Sequence, residues 1–160
     1  AFSAFAASDN TITFQGEVTD QTCAVTVNGN AVSPVVLLPT VSISDFASST
    51  TAGATNFEVG VSGCAVETTD REISTVFVGN QVTASGNLGN TGSAGDVEIQ
   101  ILDTAGTVID FTSYFTGDAD LTLTAGETSA SANYTAQYYS AGTPTAGDVT
   151  ASLQYAVTYL

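Results

Sequence analysis

Residues 149–159 read Val149-Thr-Ala-Ser-Leu-Gln-Tyr-Ala-Val-Thr-Tyr159, and every second residue in this stretch is apolar. The residues between the apolar ones are small or polar. An unbroken period of two over this length predicts a long β-strand with one face against a core. No later strand pattern follows it in the sequence. Since an apolar strand edge without a partner promotes aggregation, we expect another segment to pair with it.

Strand patterns of the same kind recur along the chain, and no helical period is visible. The dipeptide Asn28-Gly29 is a strong signal for a hairpin turn. The run Val35-Val-Leu-Leu38 before Pro39 is continuously apolar, which predicts a strand buried on both faces. The other predicted strands are 11–18, 22–27, 56–62, 73–78, 97–102, 107–111, 121–123 and 130–139.

Two stretches rich in glycine, serine or threonine are predicted to be loops, residues 40–55 and 84–96. We expect the second loop to be the most weakly packed part of the chain, because Leu88 is its only large apolar residue. Eight to ten short strands in a chain of 160 residues predict a single all-β domain with the architecture of a β-sandwich.

The charge balance excludes several classes of function. Arg71 is the only basic residue, against sixteen Asp and Glu, and the formal net charge is −15. Binding to nucleic acid or to anionic membranes needs clustered Lys or Arg, so we expect neither partner. The chain has no histidine, the commonest general base and metal ligand. It also has no apolar run near eighteen residues, so we expect no membrane insertion.

Cys23 and Cys64 are the only cysteines and stand forty-one positions apart. One structural disulfide is the favoured interpretation, and it implies an oxidising compartment such as the periplasm or the cell surface. The alternative is a pair of buried free thiols in a cytosolic protein.

Acidic side chains offer candidates for catalysis, which needs carboxylates held at a fixed distance in a cleft. These candidates are Asp118 with Asp120, and Glu67 with Asp70 and Glu72. Segments 103–110 and 117–120 are candidates for calcium, although neither fits the twelve-residue calcium loop. Solvated acidic turns are the favoured interpretation of all of them. We therefore expect no catalytic, cofactor or metal site.

Aromatic residues could line a sugar-binding groove, although aromatics on alternating strands more often pack in a core. The residues concerned are Phe111, Tyr114, Phe115, Tyr134, Tyr138 and Tyr139.

Motifs at both ends of the chain resemble one known family. Phe14-Gln-Gly-Glu-Val18 is followed by Thr22-Cys-Ala-Val25, and Cys64 lies where the family has its second cysteine. Gly147 is fourteenth from the C-terminus and Tyr159 is next to last, as in the same family. The chain from about residue 11 to residue 160 thus resembles the chaperone–usher pilins, subunits of type 1-like fimbriae.

The resemblance implies an incomplete immunoglobulin-like sandwich that is completed by a donor strand from a neighbouring subunit. Residues 1–13 would be the N-terminal donor-strand extension, and residues 14–160 the pilin domain. The edge of the groove that takes the donor strand, or a chaperone strand before it, would comprise Gly147, Val149, Ala151, Leu153, Tyr155, Val157 and Tyr159.

Two donor registers are open, one with Phe2, Ala4 and Ala6 toward the groove and one with Ser3, Phe5 and Ala7. The offset of Phe5 and Ala7 from Phe14 resembles the spacing in the family, so the resemblance favours these two residues, and Phe2 is kept as a further candidate. Residues 1–6 also resemble the end of a secretory signal.

The implied function is structural: polymerisation by donor-strand exchange into a surface fibre for adhesion or biofilm formation, without enzymatic activity. The implied partners are identical subunits, a periplasmic chaperone and an outer-membrane usher. The implied location is the bacterial cell surface, after transit through the periplasm. The alternatives are a secreted monomeric β-sandwich that binds carbohydrate or calcium, and a secreted hydrolase with a carboxylate pair.

Overall fold

The computed structural model describes residues 12–159, in which nine β-strands form two antiparallel sheets. The first sheet has the order β1-β2-β8-β5-β4. In the second, β3 is central, with β6 and β7 on one edge and β9 on the other. The prediction of an all-β sandwich is confirmed. The bounds are β1 Ala24–Val27, β2 Thr51–Ser62, β3 Arg71–Gly79, β4 Leu88–Gly89, β5 Glu98–Leu102, β6 Phe115–Thr116, β7 Leu121–Leu123, β8 Ala130–Tyr139 and β9 Leu153–Tyr159.

Aromatic side chains fill the centre of the core between the sheets. Tyr134 on β8 packs edge-on against Phe77 on β3, with 5.0 Å between the ring centroids. Phe57 and Phe115 join the same cluster. Tyr134 and Phe111 are buried, so these two aromatics serve the core, as predicted, and do not line a sugar-binding groove.

The predicted turn at Asn28-Gly29 is confirmed. Both residues have positive φ, 49° and 77°, as a type I′ turn requires. Val27 and Asn30 on either side of it exchange two backbone hydrogen bonds of 3.0 Å.

Three predicted strands are wrong. Residues 35–38 form no strand, and their burial alternates: Val36 and Leu38 pack on the core, while Val35 and Leu37 are 80% and 86% exposed. Residues 107–111 form one isolated bridge, between Val108 and Leu102, and the Ile109 N–H donates to the carbonyl of Ile101, but the segment is not a strand. The described part of 11–18 is also not a strand. In each case apolar side chains recur, but backbone pairing does not extend into a ladder.

The expected weak packing of residues 84–96 is also wrong. Leu88 is buried and belongs to β4, which pairs with β5. Asn87 is buried as well, and its side chain donates to Glu98 Oε2 at 2.8 Å. Polar hydrogen bonds hold this segment, and hydrophobic patterning cannot detect them. The other predicted loop contains a 3₁₀ turn, Ile43–Phe46, and the first residues of β2.

The predicted disulfide between Cys23 and Cys64 is confirmed, with 4.1 Å between the α-carbons. It ties the residue before β1 to the residues that follow β2.

Cys23→Ser should lower the free energy of unfolding by about 4 kcal/mol, because the bridge closes a loop of some forty residues in the unfolded chain. The denaturant midpoint of the refolded full-length subunit measures this loss. Wild-type protein under reducing conditions is the control and should show the same loss. An unchanged midpoint in Cys23→Ser would contradict the structural role.

Candidate functional site: an open groove beside the last strand

A groove of about 520 Å³ opens between the two sheets. One rim is residues 149–155 at the C-terminal end of the chain, and the other is residues 34–38. The floor is apolar and consists of core side chains, among them Val27, Phe57, Phe77, Ile99, Ile101 and Ala136. Because apolar surface in such a groove is open to solvent, covering it would be favourable.

The hydrogen bonds of β3 show which backbone groups of the first rim lack a partner. Thr75 turns its N–H toward Asp120 Oδ1 and its carbonyl toward the N–H of Gly117, at 2.8 Å each. It therefore makes no backbone bond to Val157, its neighbour across β9. Asn80, in contrast, donates to the carbonyl of Ser152 at 3.2 Å.

Backbone groups along a strand alternate in direction, so the even-numbered residues of β9 face β3 and the odd-numbered ones face outward. The outward set in β9 includes Leu153, Tyr155 and Val157, and Val149 and Ala151 continue the same alternation before β9 begins, since Thr150 faces residues 90 and 91. Among the described residues, no strand pairs with this outer edge. The same odd-numbered side chains pack toward the core.

The second rim also has unpaired backbone. Residues 34–38 make no backbone–backbone hydrogen bond within the described part of the chain. Tyr138 fixes the end of this rim, since its hydroxyl donates to the carbonyl of Pro39 at 2.9 Å. The groove thus lies between two segments whose backbone edges have no partner strand on the groove side within the described residues.

Residues 90–94 support the start of the first rim. Ala94 donates to the carbonyl of Asp148 at 3.0 Å, and Thr150 donates to Asn90 Oδ1 at 2.9 Å. The contact is so close that a β-carbon at Gly147 would stand 2.5 Å from the Ala94 nitrogen. Nothing in the sequence indicates this close contact with Ala94 except that residue 147 is a glycine.

The predicted edge residues fall into three groups. Val149, Ala151, Leu153 and Tyr155 line the groove. Gly147 lines an adjoining cavity of about 490 Å³, which shares Val149 and Tyr138 with the groove. Val157 and Tyr159 pack against the core beyond the groove. The donor candidates Phe2, Phe5 and Ala7 lie outside the described residues.

The N-terminal segment carries apolar side chains that its own subunit does not bury. Phe14 is 89% exposed, and Ile12 and Val18 are also exposed. All three stand at even-numbered positions, so an extended chain would present them on one face. Sequence reasoning predicted that the donor segment ends at residue 13, before Phe14.

Glu17 holds the base of this segment against the end of β9. Its Oε1 accepts the Tyr159 N–H at 3.0 Å, and its other oxygen accepts the Thr158 hydroxyl. These bonds lower the pKa of the Glu17 carboxyl, and the nearby Arg71 adds to the effect. Arg71 also lies 3.7 Å from Glu67 and 5.9 Å from the centre of the Tyr159 ring.

The acidic residues considered for catalysis do not form a shared cleft. Asp118 is exposed, while Asp120 accepts three hydrogen bonds from Thr75 and Tyr134. Asp70 accepts the N–H of Ala125 at 2.9 Å, Glu72 is exposed, and Glu67 accepts from Gln21. Asp120, Asp70 and Glu67 therefore each accept hydrogen bonds that stabilise the fold.

The calcium candidates are hydrogen-bonded turns. Asp103 Oδ1 accepts the N–H groups of Ala105 and Thr107, both at 2.9 Å. Asp110 accepts the N–H and hydroxyl of Thr112, which lower the pKa of its carboxyl. Within residues 12–159 no group of three or more Cys, Asp or Glu is placed to hold a metal ion. No helix in that range is long and apolar enough to cross a membrane.

A sandwich with an unfilled strand position and an exposed apolar extension defines a class of subunit that is completed by another chain. The sequence profile of the fimbrial protein family matches residues 12–160. The F17 fimbrial protein of Escherichia coli is 37% identical, over 98% of this chain and 91% of its own. The major fimbrial subunit SMF-1 of Stenotrophomonas maltophilia is 35% identical, over 96% and 94%.

Among solved structures, a subunit of a chaperone–usher pilus has the same fold, with a TM-score of 0.64, 17% identity and 98% coverage of both chains. The chain belongs to the fimbrial protein family and is a structural subunit of a cell-surface fimbria.

Proposed function

We propose that this subunit forms the shaft of its fimbria by donor-strand exchange, in which the N-terminal segment of one copy fills the groove of the next. The observation that supports this proposal is that one chain has both an open apolar groove and an exposed apolar segment that could fill the groove of another copy. The groove lies between two unpaired rims, and Phe14 and Ile12 are apolar and unburied. Backbone pairing would supply affinity, and alternate side chains would fill the groove.

The positions of the two ends support a head-to-tail arrangement. Glu17 anchors the base of the N-terminal segment beside Tyr159, at one end of β9. The adjoining cavity at Gly147 lies at the other end of the same rim. A segment leaving one subunit at the Tyr159 end would meet the next subunit at its Gly147 end. Followed from residue 17 back to residue 1, it would extend along the rim toward Val157. Its N-to-C direction would therefore be antiparallel to β9.

The exposed residues favour one of the two registers. Carrying the parity of Ile12 and Phe14 back along an unbroken strand turns Phe2, Ala4 and Ala6 toward the groove. The register with Phe5 and Ala7 would instead direct Asp9 into an apolar groove, where an unpaired carboxylate is costly. We therefore propose that the donor segment uses Phe2, opposite Val157, rather than Phe5 or Ala7. It then extends past residue 13 and places Phe14 in the adjoining cavity beside Gly147.

The same groove is the proposed site for a periplasmic chaperone, which would lend a strand before assembly at an outer-membrane usher. The disulfide Cys23–Cys64 suits passage through an oxidising periplasm. With its acidic side chains engaged in structural bonds or exposed to solvent, the subunit would act in adhesion or biofilm formation through the fibre and not through enzymatic activity.

Deleting residues 1–13 should leave a folded subunit that cannot polymerise, because most of the donor segment is lost while the groove is kept. Electron microscopy of material sheared from the producing cells, with the chain identified by mass, measures the result. Wild-type cells should give thin uniform fibres. Normal fibres from the deletion, or a soluble wild-type monomer without a chaperone, would contradict the proposal.

A further inference from the structure

We propose that Glu17 is a positioning residue that ends the pairing edge of β9 at Val157 and so fixes the register of the incoming donor strand. This inference rests on the proposed donor-strand exchange.

Side chains along β9 and along a donor strand alternate between the groove and the outside, and this alternation determines which register errors are possible. A slip of one residue would turn the donor's apolar face out of the groove, so tolerated slips come in steps of two. The outward N–H groups available to a donor belong to residues 149, 151, 153, 155 and 157. The next outward N–H is that of Tyr159, and Glu17 Oε1 already accepts it at 3.0 Å.

In the proposed register Phe2 lies opposite Val157, so a donor strand that advanced two residues would carry Phe2 to Tyr159 and would need to displace this carboxylate. Both oxygens of Glu17 are used, one by the Tyr159 N–H and one by the Thr158 hydroxyl. A donor's backbone carbonyl would approach the same N–H while facing a negatively charged group. Hydrogen bonds to a charged acceptor are stronger than the neutral backbone bond that would replace them.

The surroundings keep the carboxylate in place. Arg71 is the charged group that attracts Glu17, and the Tyr159 ring lies beside the same guanidinium. Glu67 also contacts Arg71, at 3.7 Å. Glu17 lies directly after the exposed segment that carries Ile12 and Phe14. The residue that closes the subunit's own edge is thus the residue from which its own donor segment departs.

Cysteine cross-linking in assembled fibres reads the register directly. Ala156→Cys on the exposed face of β9 serves as the fixed position. Its backbone groups face β3, so its pair with a donor residue is a non-hydrogen-bonded one, in which β-carbons are close enough for a disulfide. Single cysteines at positions 3–13 of the full-length chain are combined with it one at a time, and linked peptides are identified by mass.

We expect the wild-type background to give one main linked position. Glu17→Ala should raise the yield at the position two residues away by about tenfold, the effect of losing one charge-assisted hydrogen bond. Glu17→Gln keeps an acceptor for the Tyr159 N–H and should retain most of the wild-type pattern. Asp20→Ala is the matched control, since Asp20 is exposed and makes no hydrogen bond to the described residues.

Glu17→Ala fibres with the single wild-type position would overturn the inference and leave donor-strand exchange standing. A folded Glu17→Ala subunit that forms no fibres would also overturn it, because a register stop is dispensable for assembly. Absence of fibres from the wild-type chain would instead overturn the proposed function, and the inference with it.

Discussion

Phe14→Asp should leave the subunit folded and abolish fibre formation. The Phe14 side chain is almost wholly exposed within its own subunit, so its replacement removes no contact there. In the proposed fibre the same position enters the cavity beside Gly147, which is lined largely by apolar side chains and where a carboxylate without a partner is strongly disfavoured. Circular dichroism of the purified subunit measures folding, and electron microscopy of sheared material measures assembly.

Val66→Asp is the matched control for Phe14→Asp, since Val66 is an exposed apolar residue outside the N-terminal segment. It should give normal fibres. Phe5→Asp tests the register: it should be tolerated where Phe14→Asp is not, and loss of fibres with Phe5→Asp alone would restore the register with Phe5 and Ala7. Normal fibres from Phe14→Asp would contradict the donor role of this segment.

The sequence predicted best those strands that have partners on both edges or a clear period. The predicted ranges 121–123 and 130–139 match β7 and β8 residue for residue. The turn at Asn28-Gly29 was predictable because positive φ at two successive positions restricts the residues that fit. Local chemistry is sufficient in these places.

In the segments where strand prediction failed, the apolar pattern indicated which side chains are buried but not which backbone groups pair. Ile109 and Phe111 are buried, yet their segment forms only one bridge. Val36 and Leu38 face the core from a segment without a partner strand. That missing partner follows from the open groove, so the failed strand prediction at 35–38 marks the second rim of the site.

The first rim of the site was predictable, whereas the contacts that define its ends were not. The alternation from Val149 onward predicts a half-buried strand from sequence alone, and residues 149–155 line the groove. The bond between Glu17 and Tyr159 joins residues 142 positions apart, and the support of Asp148 by Ala94 is a backbone contact. Neither leaves a periodic signal, because each depends on how the two ends of the chain meet in the folded sandwich.

Asp120→Ala should lower the free energy of unfolding by about 3 to 5 kcal/mol, because it leaves buried donors without an acceptor. Asp120 Oδ1 accepts the Thr75 N–H at 2.8 Å, and Oδ2 accepts the Thr75 and Tyr134 hydroxyls at 2.6 and 2.7 Å. Thr75 and Tyr134 are fully buried, so water cannot replace the lost partner without opening the core. Burial and this hydrogen bond also raise the pKa of the Tyr134 hydroxyl, which stays protonated as a donor.

The neighbouring Asp118→Ala is the control for Asp120→Ala, because it removes the same charge from an exposed position two residues away. Its free energy of unfolding should stay within about 0.5 kcal/mol of wild type, as is usual for surface changes. Denaturant unfolding of the refolded full-length subunits measures both variants. Equal losses for the two would contradict the structural role of Asp120.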